Sequence, residues 1–141
     1  MRRIYWDTMI FAYWLEDTGK LGQRVQHIRQ TMLQRADVLC SSVFILSELL
    51  VGPLKERDLP AADKIERFFD SDEVSMLPYP RRAVRLFAEL RAYHGVKTLD
   101  ALHLAIAADA GVDLFLTYDH RLNKLIVPGL PFIASLDTEL F

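Results

Sequence analysis

The chain has 141 residues, a net charge of −2, 51% hydrophobic residues and 26% charged residues. That length suits one domain spanning 1–141, and the balance supports a packed core and excludes disorder. The near-neutral charge excludes a globally basic nucleic-acid binder, and no apolar run approaches the roughly 20 residues of a membrane span. Asp7, Glu16 and Asp17 break up the apolar stretch that a signal peptide would need after Arg2 and Arg3. Cys40 is the only cysteine, and His27, His94, His103 and His120 have none of the usual metal-ligand spacings. The expected location is a reducing cytoplasm.

In chain order, Arg3 to Trp6 reads as a short strand and Thr8 to Glu16 as an apolar helix. Leu21 to Ala36 is a second, more polar helix. Val38 to Ser41 is a buried strand, after which Ser42 is placed to cap a helix from Val43 to about Val51, stopped by Gly52-Pro53. A helix around Ala61 to Phe69 precedes a strand from Val74 to Leu77, closed by Pro78 and Pro80. Arg81 to His94 has Ala83, Leu86, Phe87, Leu90 and Tyr93 at helical spacing, with Gly95 as its stop. Thr98 is placed to cap a helix from Leu99 to Ala110, ended by Gly111. Leu114 to Thr117 is an apolar strand, and Phe132 to Ala134 a last short one. Strand alternates with helix throughout, which predicts a mainly parallel sheet with helices on both faces, a three-layer α/β/α sandwich.

In such a sheet ligands bind beyond the carboxyl ends of the strands. Asp7 follows the first strand, Asp119 lies just past Leu114 to Thr117, and Asp100 is in the first turn of its helix. Asp7 and Asp119 suit a helix cap, and Asp100 suits the positive end of a helix dipole, so each alone has a structural explanation. Glu48 lies in a helix apolar nearly all round, so it is expected to be buried and to require a partner. Together the four acids repel one another; a pair at 4 Å in an effective dielectric of 20 costs roughly 4 kcal/mol. A hard divalent cation removes that cost. Mg²⁺, with Mn²⁺ as substitute, takes carboxylates, keeps waters and recruits phosphate, which points to phosphodiester hydrolysis. No Gly-rich phosphate loop and no nucleophile elbow offers another chemistry. Thr117 is a candidate to hydrogen-bond a metal-bound water and His103 to contact substrate or relay a proton. Between Arg81 and Lys97, five cations (Arg81, Arg82, Arg85, Arg91, Lys97) face Glu89 alone. Arg81, Arg82 and Arg85 are therefore candidates for steering phosphate.

Ile4-Tyr5-Trp6-Asp7-Thr8 with its apolar helix resembles the opening of PIN-domain nucleases. Ser47-Glu48-Leu49-Leu50-Val51-Gly52-Pro53 resembles their internal Glu motif. Thr98-Leu99-Asp100-Ala101-Leu102-His103-Leu104-Ala105-Ile106-Ala107 resembles the third acidic motif, and Leu116-Thr117-Tyr118-Asp119-His120-Arg121-Leu122 the fourth. The four occur in family order across almost the whole chain, which at this length is most similar to the toxin ribonucleases of VapBC-type pairs. The resemblance implies a PIN-like fold, Mg²⁺- or Mn²⁺-dependent endonucleolytic cleavage of RNA, a homodimer and inhibition by a small antitoxin. It implies Asp7, Glu48, Asp100 and Asp119 as catalytic acids, with Asp7, Asp100 and Asp119 as metal ligands. Met9 stands where a small or polar residue is frequent, and Tyr118 where Asn is common. A catalytically weak binding module on the same fold and a DNA- or structure-directed nuclease are the alternatives.

Overall fold

The computed structural model describes residues 1–16 and 19–141. Five strands, β1 (Arg3–Trp6), β2 (Val38–Ser41), β3 (Val74–Met76), β4 (Leu114–Leu116) and β5 (Ile133–Ala134), form one sheet in the order β3-β2-β1-β4-β5. Every pairing is parallel, with Tyr5 opposite Cys40 on one side and Trp6 opposite Leu116 on the other. Such strands are covered on both faces, which is why β1 reads Ile4-Tyr5-Trp6 without polar alternation; all three residues are fully buried. The helices are α1 (Thr8–Glu16), α2 (Lys20–Gln34), α3 (Val43–Lys55), α4 (Leu59–Phe69), α5 (Val84–His94), α6 (Thr98–Ala110) and α7 (His120–Asn123). The result is the three-layer α/β/α sandwich expected from the alternation. No helix among the described residues is long and apolar enough to cross a membrane.

The topology locates the site. From β1 the chain builds outward through β2 to β3, then returns to β1's other side for β4 and β5. The crevice at this reversal lies beyond the carboxyl ends of β1 and β4, where open parallel sheets bind ligands. Asp7 extends the β1–β4 ladder by one bond, its N–H donating to Leu116 O at 2.9 Å. α6 runs buried from Ala101 through Ala108, four alanines in that run letting it pack closely.

Several boundaries differ from expectation. α3 passes through Gly52-Pro53 to Lys55. Pro53 forfeits one helical bond, but its ring is buried, and the turn continues because Glu56 N–H still reaches Gly52 O. The face of α3 that carries Val43, Val51 and Leu54 is at least half exposed, so this helix is not buried all round and Glu48 is only half-buried. Ser42 holds the N-cap position but its hydroxyl makes no capping bond; it turns inward to Tyr5. Thr98 is the first residue of α6 and Lys97 stands at the cap, again without a side-chain bond. The Arg81 segment begins as a 3₁₀ turn, Arg81–Ala83, before α5. α2 ends at Gln34, and α7 has no counterpart in the sequence reading. Gly95 (φ 62°) and Gly111 (φ 68°) end α5 and α6 in the left-handed conformation expected of them.

Candidate active site

Four elements deliver one carboxylate each to the crevice. Asp7, Glu48, Asp100 and Asp119 line a single cavity of about 260 Å³ with Thr8, Met9 and Tyr118. Met9 and Tyr118, the two departures from the resembled motifs, are thus part of its wall.

Asp7 is the most enclosed of the acids, 7% exposed. Its Oδ1 accepts the Thr8 N–H and its Oδ2 the Thr117 hydroxyl, both at 2.8 Å. Burial pushes this carboxyl above its usual range, the two hydrogen bonds pull it back, and the Glu48 charge adds to the rise. Thr117 is fully buried and also accepts the Asp119 N–H at 3.1 Å, so one hydroxyl ties the first acid to the fourth. Its proton is committed to Asp7 rather than turned toward a bound water.

Glu48 takes two bonds on the same oxygen, Oε1: from the Thr8 hydroxyl at 2.8 Å and from His103 Nε2 at 2.7 Å. Burial raises this carboxyl, but the bonds from His103 and Thr8 outweigh it and leave the group below its usual range. His103 continues inward. Its Nδ1 lies 3.0 Å from Tyr5 Oη, which lies 2.8 Å from Ser42 Oγ. Burial pushes the Tyr5 phenol far above its normal range, so Tyr5 remains a neutral O–H. The chain is satisfied when Ser42 donates to Tyr5, Tyr5 to Nδ1, and Nε2–H to Glu48. At 1% exposure His103 has no access to a substrate, contrary to the contact expected of it; it fixes Glu48 from behind.

Asp100 is half-buried and raised by that burial, then by the charges of Asp7 and Asp119. Asp119 is clamped by Arg121: Oδ1 accepts the backbone N–H at 2.9 Å and Nε at 3.1 Å, and Oδ2 accepts Nη2 at 2.7 Å. Those bonds hold it below the usual carboxylate range.

The structure sets Arg81, Arg82 and Arg85 apart from this group. None lines the cavity; Arg82 is held by Asp109 at 2.7 Å and Arg85 by Glu89 at 3.2 Å. Two of the three expected phosphate contacts are thus engaged in exposed ion pairs. The sequence reading missed Tyr5 and Ser42, whose roles depend on a contact across 37 residues, and the Thr8 bond across 40. It counted Lys97 only within the basic run and Arg121 only within a motif; the two flank Asp100 and Asp119 in an adjoining cavity. The Thr8 position was visible only as part of a motif.

Among the described residues no three His, Cys, Asp or Glu side chains form a ready-made chelating set. The donor chemistry nonetheless fits a hard cation: four of the seven lining residues carry carboxylates, and Asp7 and Asp100 are raised by burial and by neighbouring negative charge. Mg²⁺ is commonly held by one or two carboxylates, with water and phosphate completing its shell, and such binding needs no preformed protein cage.

A family model described as the PIN domain matches residues 4–127. No curated protein sequence gives a significant match. Among solved structures, the chain is similar to VapBC2 from Rickettsia felis, crystallised bound to a DNA fragment from its promoter. The TM-score is 0.75 at 14% identity, over 94% of this chain and 98% of that one. It is also similar to VapC20 from Mycobacterium tuberculosis, described as a sarcin-ricin-loop-cleaving toxin, with TM-score 0.66, 16% identity, and 83% and 90% of the two chains covered. FitAcB from Neisseria gonorrhoeae aligns with TM-score 0.61 at 16% identity, over 82% and 87%.

Proposed function

The chain belongs to the PIN domain family, and on that premise we propose that it is a metal-dependent endoribonuclease acting as the toxin of a type II toxin–antitoxin pair. The observation that carries this reading is the meeting of Asp7, Glu48, Asp100 and Asp119, from four separate elements, around one cavity at the sheet's reversal point. A structural role alone gives no reason to gather four mutually repelling groups.

Asp7, Asp100 and Asp119 would hold Mg²⁺ or Mn²⁺. When bound, the ion lowers the pKa of a coordinated water and neutralises charge developing at phosphorus. Thr117 fixes the direction of Asp7. Glu48, its Oε1 held by Thr8 and His103, serves to receive the proton of the attacking water. RNA as substrate and a cognate antitoxin as partner draw on the likeness to the VapC and Fit structures.

An apolar groove of about 420 Å³, walled by Trp14, Leu15, Pro53, Ile65, Phe68 and Phe69 between α1, α3 and α4, suits an apolar antitoxin segment. The exposed stripe Val43, Val51 and Leu54 on α3 suits a second copy of this chain. The alternative reading is a binding module on the same fold without turnover. One experiment separates them. RNA and DNA are each incubated with the protein in Mg²⁺, Mn²⁺ or EDTA, alongside Asp7→Asn and Glu48→Gln. Metal-dependent cleavage of RNA that both substitutions abolish supports the nuclease; binding without cleavage in either metal supports the module.

A further inference from the structure

The acidic cavity has a basic neighbour. A smaller cavity of about 120 Å³ shares two of its walls, Asp100 and Asp119. The other ionisable groups lining it are His94 at the end of α5, Lys97 at the cap of α6, and Arg121 in α7. All three are exposed. Lys97 closes the basic run that begins at Arg81, whereas Arg121 lies 24 positions further along the chain, so their meeting is a product of the fold.

Arg121 is the telling member. It grips both oxygens of Asp119 while 69% of its side-chain surface remains open. A guanidinium fork that fits a carboxylate fits a phosphate equally well. The arginines of the segment beginning at Arg81 lack this placement, since none of the three lines either cavity.

We propose that this second cavity is a phosphate subsite in which Lys97 and Arg121, with His94 at the edge, hold a backbone phosphate adjacent to the one seated at the acids. This inference rests on the nuclease reading. A strand entering a cavity walled by four carboxylates is repelled unless cations stand beside its path, and these are the cations that stand there. Asp119 and the strand then compete for one guanidinium. A phosphate that takes the Arg121 guanidinium releases Oδ2 of Asp119 toward the cavity, while Oδ1 keeps the backbone N–H of Arg121, so arrival of the strand adds a free oxygen to the set of acids.

The test uses the intact protein and a short single-stranded RNA. Binding with metal chelated, and KM for cleavage in Mn²⁺, are both measured across a range of NaCl. The proteins are wild type, Lys97→Ala, Arg121→Ala, Arg121→Lys and, as control, the exposed Arg67→Ala. Lys97→Ala and Arg121→Ala should each weaken binding and lower the slope of log K against log salt by about 0.7, the value for one phosphate contact to a single strand. Arg121→Lys should keep the slope and recover part of the affinity, and Arg67→Ala should match wild type. If wild type cleaves RNA while Lys97→Ala and Arg121→Ala keep its slope and KM, the subsite is refuted and the nuclease reading stands. If wild type neither binds nor cleaves RNA in any condition, both fall.

Discussion

Replacing Asp100 by Asn probes the acidic cavity without enlarging or reshaping it. In the wild-type protein without metal, Asp100 is raised from its ordinary value by burial and by the charges of Asp7 and Asp119. A carboxyl whose folded pKa lies above its unfolded one binds more protons folded than unfolded in between. Its ionisation therefore erodes stability as pH climbs above about 3.8 and costs nothing below that. Two carboxylates about 7 Å apart at an effective dielectric of 20 repel by about 2 kcal/mol. Asp100 is only half-buried, and solvent screening reduces its share to about 1 kcal/mol or less. The lost interaction with the dipole of α6, about 0.3–1 kcal/mol, acts in the opposite direction. Asp100→Asn without metal should accordingly melt within a few degrees of wild type at pH 7, with any advantage vanishing toward pH 4. Metal enlarges the contrast. At 100 times Kd an ion stabilises the folded state by about 2.7 kcal/mol, and wild type should gain several degrees in Mg²⁺ or Mn²⁺ where the variant gains little. Differential scanning fluorimetry against metal concentration, with RNA cleavage assayed in parallel, measures both. Equal metal-induced shifts and equal cleavage in the two proteins would refute the reasoning and return Asp100 to the role of a helix-start residue.

Three other expectations address the supports of the site. Tyr5→Phe removes the hydroxyl between Ser42 and His103 and strands buried polar atoms on both sides, so urea denaturation should show a loss of about 1–3 kcal/mol. Glu48 lies below its usual range, so the stability it contributes is present above its unfolded value of about 4.5 and disappears as pH falls through its folded pKa. Glu48→Gln should therefore be less stable than wild type at pH 7, and the two denaturation midpoints should converge in acid. Gly52 lies within α3 with open space where a β-carbon would sit, so Gly52→Ala should raise stability by about 0.5–1 kcal/mol, read as a higher urea midpoint at unchanged slope.

The parts of this molecule that could be read in advance depend on local pattern. β1 and β2 begin and end where an apolar run meets a polar residue, and α5 and α6 stop at glycines that the left-handed turn requires. The four acids were identifiable because each sits at a strand end or within a helix of recognisable spacing. What escaped is decided by packing over distance. Ser42 looks like a cap from its neighbours, yet a tyrosine 37 residues away offers its hydroxyl a buried partner, and that bond outcompetes the helix end. Gly52-Pro53 looks like a stop, but burial of the proline ring against its surroundings keeps α3 going. His103 looks amphipathic in sequence because the depth of α6 is set by the helices and strands around it. The basic run from Arg81 was visible, but Asp109, which engages Arg82, lies 27 residues further along.

The cavity's walls differ in how firmly they are anchored. Asp7 extends the central ladder, and Asp100 starts a helix buried over eight consecutive residues. The amides of Asp7 and of Ala101 through Ala108 should exchange with deuterium only when the whole protein unfolds. Asp119 instead caps the four-residue α7, of which Leu122 alone is buried, and its neighbours Tyr118, His120 and Arg121 face solvent. Those amides should exchange through small, frequent openings that leave the rest of the fold protected. The fourth wall is thus the least buried of those compared, and on the nuclease reading it is the side at which a strand would enter and its two halves would leave.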